Sequence, residues 1–309
     1  PLLMDTDGDS LSDKFEHESR SRDALRSDYF FSVGPRNGCV FDDDEVVKCW
    51  GDQQHGMLEV PVLNRVLDLD VGWLAACVAP GDGKKAQCWG DGWGASHDSL
   101  ANVSIVSVGD RNSCVYNGLQ VRCNSPNSSI EQVPFFGSEI VDLQGGANHV
   151  CALESNGKVT CWGGSSSGQT EIPTDKVFTK IAVGPYSTCG VTEDSQMICA
   201  GGLSSGGANN LWQPPEISNV TSFDISSDSG CVNDKGEVDC WGNYVQSNGS
   251  AALQPIVPLS PTAIVGVGLT FACALDGAQL SCWGYDEGDR GYLKPPGDAR
   301  FGDKDGDGL

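Results

Sequence analysis

The chain has 309 residues, enough to bury a sizeable core, and a closed all-β architecture can use that length as one domain. Its 42 acidic against 19 basic residues give a formal charge of −23, which repels phosphate backbones and anionic membrane surfaces and sets nucleic acid aside as a partner. No apolar run reaches the ~18 residues of a membrane-spanning helix, no charged, apolar, small-residue leader opens the sequence, and from its start at Pro1 the chain is expected to be a processed or excised piece.

The first element is a metal loop. In Asp-Thr-Asp-Gly-Asp-Ser-Leu-Ser-Asp-Lys-Phe-Glu, Asp5, Asp7, Asp9, Asp13 and Glu16 take loop positions 1, 3, 5, 9 and 12, with the Leu11 carbonyl at 7. That is the oxygen set of a seven-coordinate hard cation, and Ca2+ is the expected cofactor. Ser10 stands where an EF-hand has glycine, and Leu11 is apolar one place early. With those departures the segment resembles the calcium repeats of thrombospondin type 3, which implies a stalk-like linker. Residues 1–27 are assigned to this linker and a short helix.

From residue 28 onward the sequence repeats. Its 14 cysteines fall into the pairs 39/49, 77/88, 114/123, 151/161, 189/199, 231/240 and 273/282, whose first members lie 37 to 42 residues apart. A period near 40 belongs to propeller blades. Such a count does not suit a reducing cytosol unless metal is bound, and the C-x-x-C spacing that zinc prefers is absent. Five residues before each first cysteine stands Gly34, Gly72, Gly109, Gly146, Gly184, Ser226 or Gly268, read as the site of a sharp turn. Before it run alternating apolar residues such as Leu69 and Val71, or Phe223 and Ile225, which mark a strand with one buried face.

Each cysteine pair brackets a hairpin, with Asn156-Gly157 or Lys235-Gly236 turn chemistry at its tip. The second residue after the first cysteine is apolar except at Asn233, and the residue two before the second cysteine is always apolar. Both share the cysteines' face, so the paired cysteines oppose each other across the hairpin and seven bridges are expected: Cys39–Cys49, Cys77–Cys88, Cys114–Cys123, Cys151–Cys161, Cys189–Cys199, Cys231–Cys240 and Cys273–Cys282. Trp50, Trp89, Trp162, Trp241 and Trp283 follow the second cysteine and are expected to fill the gaps between blades, whereas Asn124 and Ala200 replace tryptophan in units three and five. One bridge per repeat cannot hold independent modules, so the repeats must share a core. Radial closure of four-stranded sheets supplies it, and the expected fold is an all-β, seven-bladed β-propeller over residues 28–298.

The pattern Cys-Ala-Leu-x-x-x-Gly-x-Val-x-Cys-Trp-Gly at residues 151–163 resembles the regulator of chromosome condensation repeat in its short, cysteine-paired form. Similar units form the ectodomains of Crinkly-type plant receptor kinases and many bacterial surface proteins. The resemblance implies the fold. For function it leaves exchange factor, inhibitor, receptor and scaffold open.

Residues 299–309 begin a second calcium motif, with Asp303, Asp305 and Asp307 at the first three ligand positions. Half a loop binds weakly alone, so the polypeptide is expected to continue or to borrow ligands from a neighbour. The sequons at Asn102, Asn127, Asn219 and Asn248 fit N-glycosylation in a eukaryotic source. None of His17, His55, His97 and His149 sits in a metal or nucleophile motif, and His149 is expected to pack within a blade. The expected role is therefore a non-catalytic extracellular or cell-surface module. It would be linked by calcium to other copies or neighbouring domains of a larger assembly, without inserting in a membrane. The competing reading is a secreted lectin-like or inhibitor-like propeller that holds a glycan or protein ligand in loops such as 163–168 and 201–207.

Overall fold

The computed structural model describes residues 30–42, 44–63, 65–91, 100–202, 214–227, 229–242, 255, 258–277, 279–286, 288–299 and 301. They build seven antiparallel sheets of three consecutive strands each. Blade one comprises β1 (Phe30–Val33), β2 (Asn37–Phe41) and β3 (Val47–Gly51), and blade two comprises β4 (Val66–Val71), β5 (Ala75–Pro80) and β6 (Gln87–Gly90). Blade three holds β7 (Ile105–Val108), β8 (Ser113–Tyr116) and β9 (Val121–Asn124), and blade four β10 (Ile140–Gly145), β11 (His149–Glu154) and β12 (Val159–Gly163). Blade five holds β13 (Phe178–Val183), β14 (Ser187–Thr192) and β15 (Met197–Gly201), and blade six β16 (Val220–Ile225), β17 (Ser229–Asp234) and β18 (Glu237–Gly242). Blade seven closes the series with β19 (Ile264–Val267), β20 (Phe271–Asp276) and β21 (Gln279–Gly284). The expected fourth strand is not formed among the described residues. β1 pairs with β2 inside blade one.

The middle strand of every blade is buried along most of its length, in β5 and β11 at every residue, and it carries buried polar side chains such as His149, Thr188 and Asn233 beside its small apolar ones. The register sets each first cysteine directly opposite its second, as in Cys39↔Cys49 and Cys151↔Cys161. All seven bridges form, with Cα separations of 4.0 to 4.1 Å, and no free cysteine remains among the described residues. Each closes a loop of 9 to 11 residues, for which the chain-entropy account gives about 2.5–3 kcal/mol. Replacing Cys151 and Cys161 together by alanine is therefore expected to lower unfolding stability by about that amount, read as a lowered guanidinium midpoint.

Tryptophans fill the seams between blades. Trp89 of blade two packs with Phe41, Val47 and Met57 of blade one and its linker, and Trp162 of blade four with Tyr116, Val121 and Ile130. Opposite each sits a small or slim partner, Ala76 and Val150, which leaves room for the indole. The glycine after each tryptophan has its own reason: Gly51, Gly90, Gly163, Gly242 and Gly284 adopt φ between +99° and +117°, which L side chains avoid.

The glycines before the first cysteines stand at the expected turns, each donating its N–H to the carbonyl three residues on, but the turn is not what demands glycine. None has a positive φ. A Cβ on Gly34 would lie 2.6 Å from the Gly72 carbonyl oxygen, one on Gly72 2.4 Å from that of Gly109, one on Gly109 2.0 Å from that of Gly146, and one on Gly146 2.6 Å from that of Gly184. Neighbouring blades touch backbone to backbone at this neck, so the ring requires glycine for close approach.

The linkers recur as a second module. Gly56-Met57-Leu58-Glu59, Gly168-Gln169-Thr170-Glu171 and Gly291-Tyr292-Leu293-Lys294 each place glycine at positive φ and return the fourth amide to the glycine carbonyl at 3.0 to 3.1 Å. The indole N–H of Trp89 donates to Met57 O, that of Trp162 to Ile130 O, and that of Trp50 to Tyr292 O. The segment after blade seven thus serves blade one as the linkers around Met57 and Ile130 serve blades two and four, and the ring closes through this segment. Tyr292 stacks on Phe271 at 5.3 Å, Arg290 reaches Asp52 at 2.6 Å, and Lys48 donates to the Asp298 carbonyl.

Candidate functional site: the central channel

The seven inner strands belong to separate sheets and share no backbone ladder, so their amides toward the axis need other partners. Side chains from the preceding blade supply them. Asp68 accepts from Val106 N at 2.8 Å, Asp70 from Val108 N at 2.6 Å, and Asp224 from Val267 N at 2.7 Å. Ser32 and Ser222 play the same part toward Val71 N and Val265 N, each at 3.0 Å. All come from positions two or four before the neck glycine or its Ser226 equivalent, where strand alternation turns side chains away from the blade core.

These positions line a channel of about 310 Å³. Besides Asp68, Asp70 and Asp224 it contains Asp142, whose carboxylate accepts from Gln144 Nε2 at 3.0 Å. Burial pushes Asp68 up to about 7, with the Asp70 and Asp142 carboxylates raising it further against the pull of the Val106 amide. Burial likewise raises Asp224 to about 7, and Asp70 and Asp142 to about 6. Burial lowers the ammonium of Lys180, on β13, and the Asp142 charge counters that shift. Among the described residues no group of three or more His, Cys, Asp or Glu is placed to hold a metal ion.

One end of the channel is framed by seven like turns, in which the neck residue's N–H bonds the carbonyl three residues on, from Gly34 N to Asn37 O through Gly268 N to Phe271 O. Here Trp73, Asp110 and Pro185 line the opening. Arg36 lies over the Trp73 ring at 5.1 Å, and Tyr186 is exposed beside Pro185. The loop beginning at Gly163 leaves at this same end, since Gly163 pairs with His149. Asn127 is also on this side: it caps the single helical turn Ser128–Glu131, and a Cβ on Gly164 would lie 3.9 Å from its Nδ2. Asn102 and Asn219 are exposed at the opposite end, each seven residues before the neck position of its blade.

His149 is wholly buried at the seam of blades four and five, with Nε2 3.0 Å from Thr188 Oγ1, and burial lowers it to about 4. The calcium-ligand candidates Asp5, Asp7, Asp9, Leu11, Asp13, Glu16, Asp303, Asp305 and Asp307 lie outside the described residues, as do Asn248 and the loop from residue 203. The channel carboxylates were missed in sequence. Their signal is an aspartate on the outward face of an otherwise apolar inner strand, as in Val-Leu-Asp68-Leu-Asp70-Val.

Ring and staples together define a disulfide-stapled seven-bladed β-propeller with a polar channel. Residues 140–169 match the family described as Regulator of chromosome condensation (RCC1) repeat. Among solved structures the chain is similar to the Crinkly WD40 ectodomain of the Arabidopsis thaliana receptor kinase ACR4, with TM-score 0.68 and 24% identity over 84% of this chain and 95% of that one. It is also similar to the entire ectodomain of the Physcomitrella patens receptor kinase CR4, with TM-score 0.66 and 22% identity over 83% and 72%. Yeast RCC1 (Prp20), solved with Kap60 bound, matches at TM-score 0.59 and 15% identity over 79% of each chain. At these identities the likeness establishes the fold.

Proposed function

We propose that the chain is a non-catalytic extracellular binding module, a rigid stapled ring that offers the Trp73–Tyr186 end of its channel to a protein or glycan. The observation that carries this reading is the bridge in every blade, which persists only in an oxidising compartment. The two receptor-kinase ectodomains among its structural relatives support it. In the same proposal, calcium held by Asp5, Asp7, Asp9, Leu11, Asp13 and Glu16, and by the partial set Asp303, Asp305 and Asp307, joins the propeller to neighbours in a cell-surface or filamentous assembly.

Calorimetric titration of Ca2+ into the full chain tests the linkers. Uptake is expected in the native sequence and its loss in an Asp5→Ala/Asp9→Ala variant; a native chain that takes up no calcium removes that part. A secreted lectin-like role is favoured by the aromatic and arginine side chains at the channel opening. On a glycan array it predicts signals that Trp73→Ala abolishes.

A further inference from the structure

We propose that the channel is a pH-sensitive lock: protonation of Asp68, Asp70, Asp142 and Asp224 tightens the ring, and their ionisation toward neutral pH loosens it. Asp68, Asp70 and Asp224 each accept an amide of the next blade across a seam that has no backbone ladder, a bond that ionisation strengthens. Against it, all four carboxylates line one channel, where ionisation sets like charges facing one another across the seams and pushes the blades apart.

The remaining inner-strand positions add little compensation. β1 brings Phe30 and Ser32, β7 Ile105 and Ser107, and β19 Ile264 and Gly266, none of them titratable. β10 adds neutral Gln144, β16 neutral Ser222, and β13 the one cation, Lys180, whose charge acts on Asp142. Four carboxylates against one ammonium leave three net negative charges when all are ionised, and one net positive charge when the acids are protonated. Asp70 repels Asp68, Asp142 and Asp224 alike, which makes it the hub. At the opening, Asp110 is raised by burial against the pull of Arg111, and Arg36 is shared with Asp52.

The direction follows from linkage. A carboxyl raised above its unfolded value near 3.8 costs nothing below that value and costs increasingly as pH climbs through its folded value, here about 6 to 7. Stability from this source is therefore full in acid and is lost between roughly pH 4 and 7. His149 acts oppositely, since its folded value near 4 costs stability as pH falls from 6.5. An Asn at that position, as Asn37 and Asn112 are in blades one and three, removes the opposing group. Backbone amides hold Glu154 and Asp234 low despite burial, so they complete their titration in more acid solution.

The test is the thermal midpoint of the full chain at fixed scan rate from pH 5 to 8, in the native sequence and in His149→Asn. In both, the midpoint is expected to fall by at least about 5 °C as pH rises, more in His149→Asn. The Asp68→Asn/Asp70→Asn/Asp142→Asn/Asp224→Asn variant keeps a neutral acceptor at each site and is expected to lose most of this slope and to melt above the native chain at pH 8. Neutralising four exposed acids instead, in Glu131→Gln/Asp175→Asn/Glu216→Gln/Glu237→Gln, should leave the slope in place, which separates the channel from the chain's overall charge. A midpoint that rises with pH, or channel variants that keep the native slope while the surface variant loses it, would overturn the lock. If the fourfold channel variant does not fold, Asp70→Asn alone decides: a reduced slope supports the lock and an unchanged one refutes it.

Discussion

Tyr292→Ala is expected to lose about 3–5 kcal/mol of unfolding stability, the largest effect of any single side chain after blade seven. Tyr292 is 2% exposed, stacks on Phe271, and its carbonyl receives the Trp50 indole N–H. Its removal leaves a cavity where the first and last blades meet. Those blades have no shared strand, and their seam is held by the Leu269 N to Pro35 O bond and by the cluster of Trp50, Phe271, Tyr292 and Phe301. Deleting residues 285–309 should therefore open the ring outright, seen as loss of the cooperative transition and strong dye binding. Tyr285→Ala is the matched control: that side chain is 53% exposed and should change stability by less than about 0.5 kcal/mol. Equal losses for the two tyrosines in chemical denaturation would refute closure through this segment.

Gly109→Ala should cost about 3 kcal/mol, at the upper end of ordinary overpacking. A methyl there would sit 2.0 Å from the Gly146 carbonyl oxygen, and since both partners are backbone, relief requires blades three and four to move apart. The strain should pass along the neck, because Gly72 and Gly146 are in the same relation to their own neighbours. Blade six carries Ser226 at this position, so a Cβ already fits there and Ser226→Ala should cost far less. A Gly109→Ala protein as stable as the native chain would show that the neck glycines serve another purpose.

Much of the ring could be read from sequence because it rests on short-range rules. Cysteines spaced 9 to 11 apart around a turn oppose each other on one hairpin face, and the apolar residues beside them follow from period-two alternation. Asn233, the one polar exception on that face, is buried with its amide bonded to the Ser260 and Ala263 carbonyls and its oxygen to Gly236 N, so it replaces apolar packing with a satisfied polar plug. The features missed depend on relations between blades. The neck glycines do stand at turns, but the close approach to the neighbouring carbonyls that excludes a Cβ could not be read, since no pattern within one repeat predicts a contact with the next. The C-terminal segment carries the same Gly-x-x-x-x-Pro spacing as Gly56 to Pro61 and Gly168 to Pro173, in Gly291 to Pro296, yet only ring closure gives that likeness meaning. The channel acids were hidden because they occupy only some of the equivalent positions, in a chain with 42 acidic residues.

A disulfide map tests the stapled extracellular ring most directly. The full chain is produced by secretion, alkylated without reduction, digested and analysed by mass spectrometry. The expected result is no alkylated cysteine and seven linked peptide pairs, Cys39 with Cys49 through Cys273 with Cys282, each confined to one repeat. Free thiols in the secreted protein, or a bond joining two different repeats, would contradict it.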